Sequence, residues 1–122
     1  MKLNLDQTSV PSISAYSKHG ITIGGRLLVE PFVAVGDDIL TGSLPLSVGA
    51  VGPQHIEKLL AFEQSIILVG TGETQVLFDP EVLRPALEAQ VGIEVMKTAA
   101  ACRCYNVLVA ENRAVLGVFY MP

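Results

Sequence analysis

The chain has 122 residues, 16% of them charged and 50% hydrophobic, with a mean hydropathy of +0.48. That length suits one domain, hiding roughly 65% of its unfolded surface on folding, and the apolar content excludes intrinsic disorder. A net charge of −4 and a pI of about 5.0, with no run of lysine or arginine, exclude nucleic acid and anionic membrane surfaces as partners.

Along the first fifty residues the pattern is β-rich and irregular. Strands are expected at Ile13–Tyr16 and Ile21–Ile23, with Gly24-Gly25 as a hairpin turn and a return strand over Arg26–Val35 interrupted at Pro31. Asp37-Asp38 and Thr41–Pro45 read as surface loop before a short strand at Leu46–Val48. From residue 52 helices alternate with short apolar strands. Gly52-Pro53 opens a helix to about Phe62, with Ile56, Leu59 and Leu60 at helical spacing. Ser65–Gly70 is a strand buried on both faces, Gly70–Gln75 turns the chain, and Gln75–Phe78 reads as another strand. Asp79-Pro80-Glu81 caps a helix to about Gln90 that Gly92 stops, and Ile93–Met96 is the next strand. Thr98 is expected to cap a last helix ending at Glu111-Asn112, followed by a strand over Arg113–Tyr120. Strands separated by helices predict a compact three-layer α/β domain with a mixed, partly parallel sheet, right-handed crossovers and a β-rich N-terminal half.

The opening stretch, Met1–Val10, carries Asn4 and Asp6 and so lacks the apolar core of a signal peptide or the arginine-rich face of a transit segment. No apolar run reaches the roughly 18 residues of a spanning helix. With two cysteines, this predicts a cytoplasmic protein without a disulfide framework.

Three constellations bear on chemistry. Gly70 and Gly72 follow a buried strand as in a dinucleotide fingerprint, but position 75 is glutamine and no helix follows directly, so the fingerprint fails. His19 and His55 lie in different elements, and Cys102-x-Cys104 has no second ligand pair, so no metal spacing exists and no cofactor is expected. Residues two apart on a helix point about 200° apart, which separates the two thiols. Cys102 therefore reads as a small buried hydrophobe. In the last helix Ala101, Cys102, Cys104, Tyr105, Leu108 and Val109 share an apolar arc of about 160° that faces the core. Arg103 and Asn106 flank the other side, where Ala100 and Val107 stand in place of charge. Either that side is packed between the sheet and the N-terminal half, or it meets a partner chain with Arg103 as anchor.

The stretch Gly92–Val115, together with the Gly70–Gly72 turn, resembles a small family of unknown function that includes a mitochondrial respiratory complex I assembly factor and bacterial and archaeal members. The resemblance is strongest over about Leu68–Val118. Glu94, Met96, Thr98, Ala101-Cys102-Arg103, Tyr105-Asn106, Leu108, Glu111 and Arg113 stand in family order, while Lys97 and Cys104 depart from the expected acid and threonine. It implies a three-layer α/β domain with no established enzymatic activity. It also implies a mitochondrial relative of chaperone type that acts with a second assembly protein on membrane-peripheral subunits.

Two functions follow. One is a protein-interaction or assembly-factor-like domain, with another protein or a second copy as partner and Cys102, Arg103, Tyr105 and Asn106 as its candidate residues. The other binds a small anion or metabolite where the Gly70–Gly72 turn, Glu94 and Lys97 meet the N-terminus of the Thr98 helix, if the strands ending at Gly70 and Met96 are neighbours.

Overall fold

In the computed structural model, which describes residues 10–122, the chain runs through β1 (Ile13–Ser17), β2 (Gly20–Ile23), β3 (Arg26–Leu28), β4 (Phe32–Val35) and β5 (Asp38–Thr41). It continues through α1 (Pro53–Leu60), β6 (Ile66–Gly70), α2 (Pro80–Glu88), β7 (Gly92–Met96), α3 (Thr98–Ala110) and β8 (Val115–Phe119). The opening residues Met1–Ser9, over which the sequence predicts no targeting segment, lie outside the described residues. No helix among the described residues is long and apolar enough to cross a membrane.

A five-stranded sheet in the order β5-β4-β8-β6-β7 forms the middle layer. Its β5, β4 and β8 pair antiparallel, whereas β8, β6 and β7 pair parallel, with Leu68 opposite both Gly117 and Glu94. Because successive strand side chains point to opposite faces, each strand feeds two cores. Val33, Val35, Ile67, Val69, Leu116 and Val118 pack on one face against Ile56 and Leu59 of α1 and Ala86 of α2. Phe32, Ala34, Leu68 and Phe119 pack on the other against Ala101, Cys102 and Tyr105 of α3, and against Ile13, Ile21, Ile23 and Leu28 of the small antiparallel sheet β1-β2-β3. These are the expected three layers, with a mixed sheet buried on both faces at its centre.

The Gly24-Gly25 hairpin turn stands as expected, both residues adopting the positive φ (58° and 77°) that a tight two-residue hairpin requires. Several boundaries differ from the sequence expectation, each for a nonlocal reason. Pro31 does more than interrupt one strand, because β3 and β4 on either side of it belong to different sheets. Asp38 is not loop; it starts β5, whose Leu40 pairs with Val33. Leu46–Val48 forms no strand, and only a short 3-10 turn follows at Val48–Ala50. Gln75–Phe78 forms none either: the Thr71 hydroxyl donates to the Thr74 carbonyl at 2.6 Å and accepts the Val76 N–H at 3.1 Å, curling the segment about Thr71.

One helix stop also departs from expectation, while the ends expected at Gly52-Pro53 and Glu111-Asn112 stand. Gln90, not Gly92, ends α2, adopting φ 60° while the Val91 N–H bonds back to the Ala86 carbonyl. Gly92 instead opens β7. The same device ends α3, with Asn112 at φ 59° and the Arg113 N–H bonded to the Leu108 carbonyl. At the start of α1 the Gly52 N–H donates to His55 Nδ1 at 2.9 Å, a capping bond from the third helical position.

Candidate functional site

Between the carboxyl ends of β6 and β7 the following connections leave to opposite faces, through α2 to one side and α3 to the other. In open α/β sheets such a switch point is where ligands enter. As the sequence reading requires, β6 and β7 are neighbours, with Gly70 opposite Met96. The switch point's backbone groups are nevertheless already bonded to one another and to the Thr98 side chain. Thr98 is not the cap of α3, a place taken by Lys97; it is the first helical residue and is fully buried. Its hydroxyl accepts the Gly72 N–H at 2.7 Å and donates to the Tyr120 carbonyl at 2.7 Å. The Thr98 N–H returns to the Gly72 carbonyl, the Thr71 N–H goes to Met96, and the Tyr120 N–H goes to Gly70. A Cβ on Gly70 would lie 2.9 Å from Thr98 Oγ1 and 3.1 Å from the Ala101 Cβ, so glycine lets the strand end touch the helix. The Gly72 N–H that an anion cradle would need is thus already used in binding β6, α3 and β8 together.

The remaining predicted residues divide between core, flank and groove. Cys102 and Tyr105 lie in the core, Tyr105 edge-on to Phe119 with ring centroids 5.5 Å apart. Burial pushes the Cys102 thiol up to about 12, against a smaller opposing pull from the Arg103 charge, which keeps it protonated and poorly nucleophilic. Burial likewise raises the Tyr105 phenol to about 12, and its hydroxyl finds no hydrogen-bond partner among the described residues. Arg103 and Asn106 both turn towards β1. The Asn106 side chain accepts the Ile13 N–H at 2.8 Å and donates to the Ile13 carbonyl at 2.7 Å, while Arg103 donates to the Tyr16 hydroxyl at 3.0 Å. Asn106 therefore acts as a splice that stands in for a neighbouring strand at the register shift between Ile13 and Ala15. Asn106→Ala should cost about 2 kcal/mol in urea denaturation, because both backbone groups of a buried residue lose their partner. A loss under about 0.5 kcal/mol would show that β1 holds without it.

A groove of about 380 Å³ opens on the α3 side of the sheet, above its β7 edge. Ile66 and Leu68 of β6 and Glu94 and Met96 of β7 form its floor and one bank; Arg103, Cys104, Val107 and Leu108 of α3 form the other. It exists because α3 lies over β6 and β8 and reaches β1, so that among the described residues the same face of β7 is left largely bare. Val107, 56% exposed, stands on the rim where a solvated helix would carry charge, and Glu94 and Arg103 are the two charged residues of the lining. Of the candidates, only Glu94 and Arg103 come together in this groove, on opposite banks. Sequence reading did not single out Ile66, Leu68 or Cys104 as lining. The apolar residue at 107 was the local signal for it.

Similarity to known proteins agrees with this architecture. The chain is 30% identical over 126 residues to NADH dehydrogenase [ubiquinone] 1 alpha subcomplex assembly factor 3 of Xenopus tropicalis, an alignment covering 99% of the chain and 67% of that protein. A 13 kDa major membrane protein of Francisella tularensis is 37% identical over 68 residues, 56% of the chain and 55% of that protein. The crystal structure of a Bordetella parapertussis protein superimposes with a TM-score of 0.86 at 27% identity, covering 94% of the chain and 98% of that one. Residues 13–120, from the first strand to just past the last, match the family described as protein of unknown function (DUF498/DUF598), and the chain belongs to that family.

Proposed function

We propose that residues 1–122 form one docking domain of assembly-factor type. It works without catalysis of its own, holding a protein partner in the groove between α3 and β7. The observation that carries this reading is the apolar groove beside the β7 edge, left open among the described residues, with Val107 on its rim and one charge on each bank. Apolar surface left open beside a well-filled core marks a contact site. Support for the assembly role comes from the relative named for NADH dehydrogenase assembly. By that analogy the partner is a membrane-peripheral subunit of a respiratory NADH dehydrogenase, met in the cytoplasm. The buried, protonated Cys102 supports a non-enzymatic reading, since it is the one thiol that the last helix carries into the core.

Co-expression with the peripheral subunits of the host enzyme, followed by affinity capture on this chain, tests the proposal. The wild type should retain a subunit and Val107→Glu should lose about tenfold or more of it, because the new carboxylate would have to be desolvated in an apolar contact. Its own stability should stay within about 0.5 kcal/mol, as expected for an exposed position. Retention equal in both would move docking away from the groove, and no retention by the wild type would overturn the assembly role.

A further inference from the structure

We propose that the groove is self-complementary and that the free chain closes it with a second copy, the two meeting about a twofold axis that runs along the groove between α3 and β7. This rests on the groove being a docking surface and names what covers it. The banks carry one charge each, Glu94 on β7 and Arg103 on α3, with an apolar strip between them. Both side chains are exposed, and the ion pair found among the described residues, Arg84 with Glu81, lies elsewhere. Arg103 bonds to a neutral hydroxyl, that of Tyr16, and among the described residues no carboxylate answers its charge. With the twofold axis running along the groove, whatever one bank presents meets the other bank of the second copy, and every pair forms twice. Glu94 of each copy then faces Arg103 of the other, while each Val107 enters the opposite groove.

Charge explains why this face suits a second copy. With a net charge of −4, two copies repel over most approaches. This patch holds one cation and one anion and is locally neutral, so self-contact there costs least. Strand addition at the β7 edge is blunted, because the Gln75 side-chain amide already donates to the Val95 carbonyl at 3.0 Å. The copies therefore meet through side chains in the groove.

Sedimentation equilibrium on the whole chain tests the arrangement with Glu94→Arg, Arg103→Glu and the double variant. Either single swap sets like charges against each other twice and should raise the dimer dissociation constant about tenfold or more. The double variant should restore dimerisation. Mixing the two single variants should do so as well, since every contact across that mixed pair is again between opposite charges. Circular dichroism confirms that each variant folds, and Val107→Glu gives a second, charge-independent disruption. A wild type that stays monomeric up to millimolar concentration overturns the proposal, as does a dimer indifferent to both swaps. If the wild type is monomeric while Val107→Glu still loses subunit capture, self-association alone falls and the docking reading stands. If Val107→Glu changes neither measurement, both fall.

Discussion

Replacing Thr98 by valine should lower the stability of the domain by about 3 kcal/mol, although the two side chains have nearly the same shape. The hydroxyl has two partners, the Gly72 N–H and the Tyr120 carbonyl, both at 2.7 Å, and the residue is fully buried. Removing it leaves a donor and an acceptor bare in a place water does not reach, at about 1–3 kcal/mol for each unsatisfied group. For a chain of this length the expected fall in Tm is on the order of 10 °C. Thr98→Ser keeps the hydroxyl and should recover most of the loss, which separates the hydrogen bonds from the missing methyl group. The consequence reaches the groove, because Thr98 fixes where α3 starts relative to β6 and β8, and β6 and α3 supply the groove's floor and outer bank. A loss below about 1 kcal/mol for Thr98→Val would show that the three elements are held by packing alone.

Thr98 also marks how far the sequence can be read. A threonine ahead of an apolar helical run reads as a cap, because the cap is the only partner that lies within a few residues. Its real partners lie 26 and 22 positions away, and no local pattern names them. The same distinction separates the other readings. Strands β6 and β8 are continuous apolar runs punctuated by glycine, serine and arginine, so their extent is legible, as is the core arc of α3 through Ala101, Cys102 and Tyr105. By contrast β5 is Asp38–Thr41, with no alternation of its own; it is a strand because Val33 and Ala34 pair with it. Gln75–Phe78 has strand-like residues and, among the described residues, no strand opposite it, and its glutamine instead bonds across to the β7 edge. The candidate site was legible as residues and illegible as geometry. Glu94 and Arg103 were identified in separate roles, and only the position of α3 over β6 and β8 brings them to opposite banks of one groove.

Gly117 lies at a tight point of the core, and Gly117→Ala should cost about 3 kcal/mol. Its strand, β8, is the central one, pairing with β4 on one side and β6 on the other. The ring of Phe119, two residues along the same face, lies directly over the glycine. A Cβ there would stand 2.5 and 2.7 Å from two ring carbons of Phe119 and 3.1 Å from the ring of Tyr105. Neither ring has room to give: Phe119 stacks tilted on Phe32 with centroids 5.2 Å apart and receives the edge of Tyr105, all three fully buried. Adding one methyl group to a close-packed interior of this kind forces off-rotamer side chains or a shift of the strand, at about 1–3 kcal/mol. Prising the rings apart also weakens their attraction for one another, which adds about 1 kcal/mol to the cost. Tyr105 belongs to the turn of α3 that carries Cys104 and Leu108 on the groove side, so pushing its ring outward moves the outer bank away from β7. Gly117→Ala should therefore weaken subunit capture as well as stability, although residue 117 does not line the groove. Thermal denaturation and the capture assay on the same variant test the two parts together. A stable variant with normal capture would mean that the rings repack around the methyl group and that the position of α3 does not depend on them.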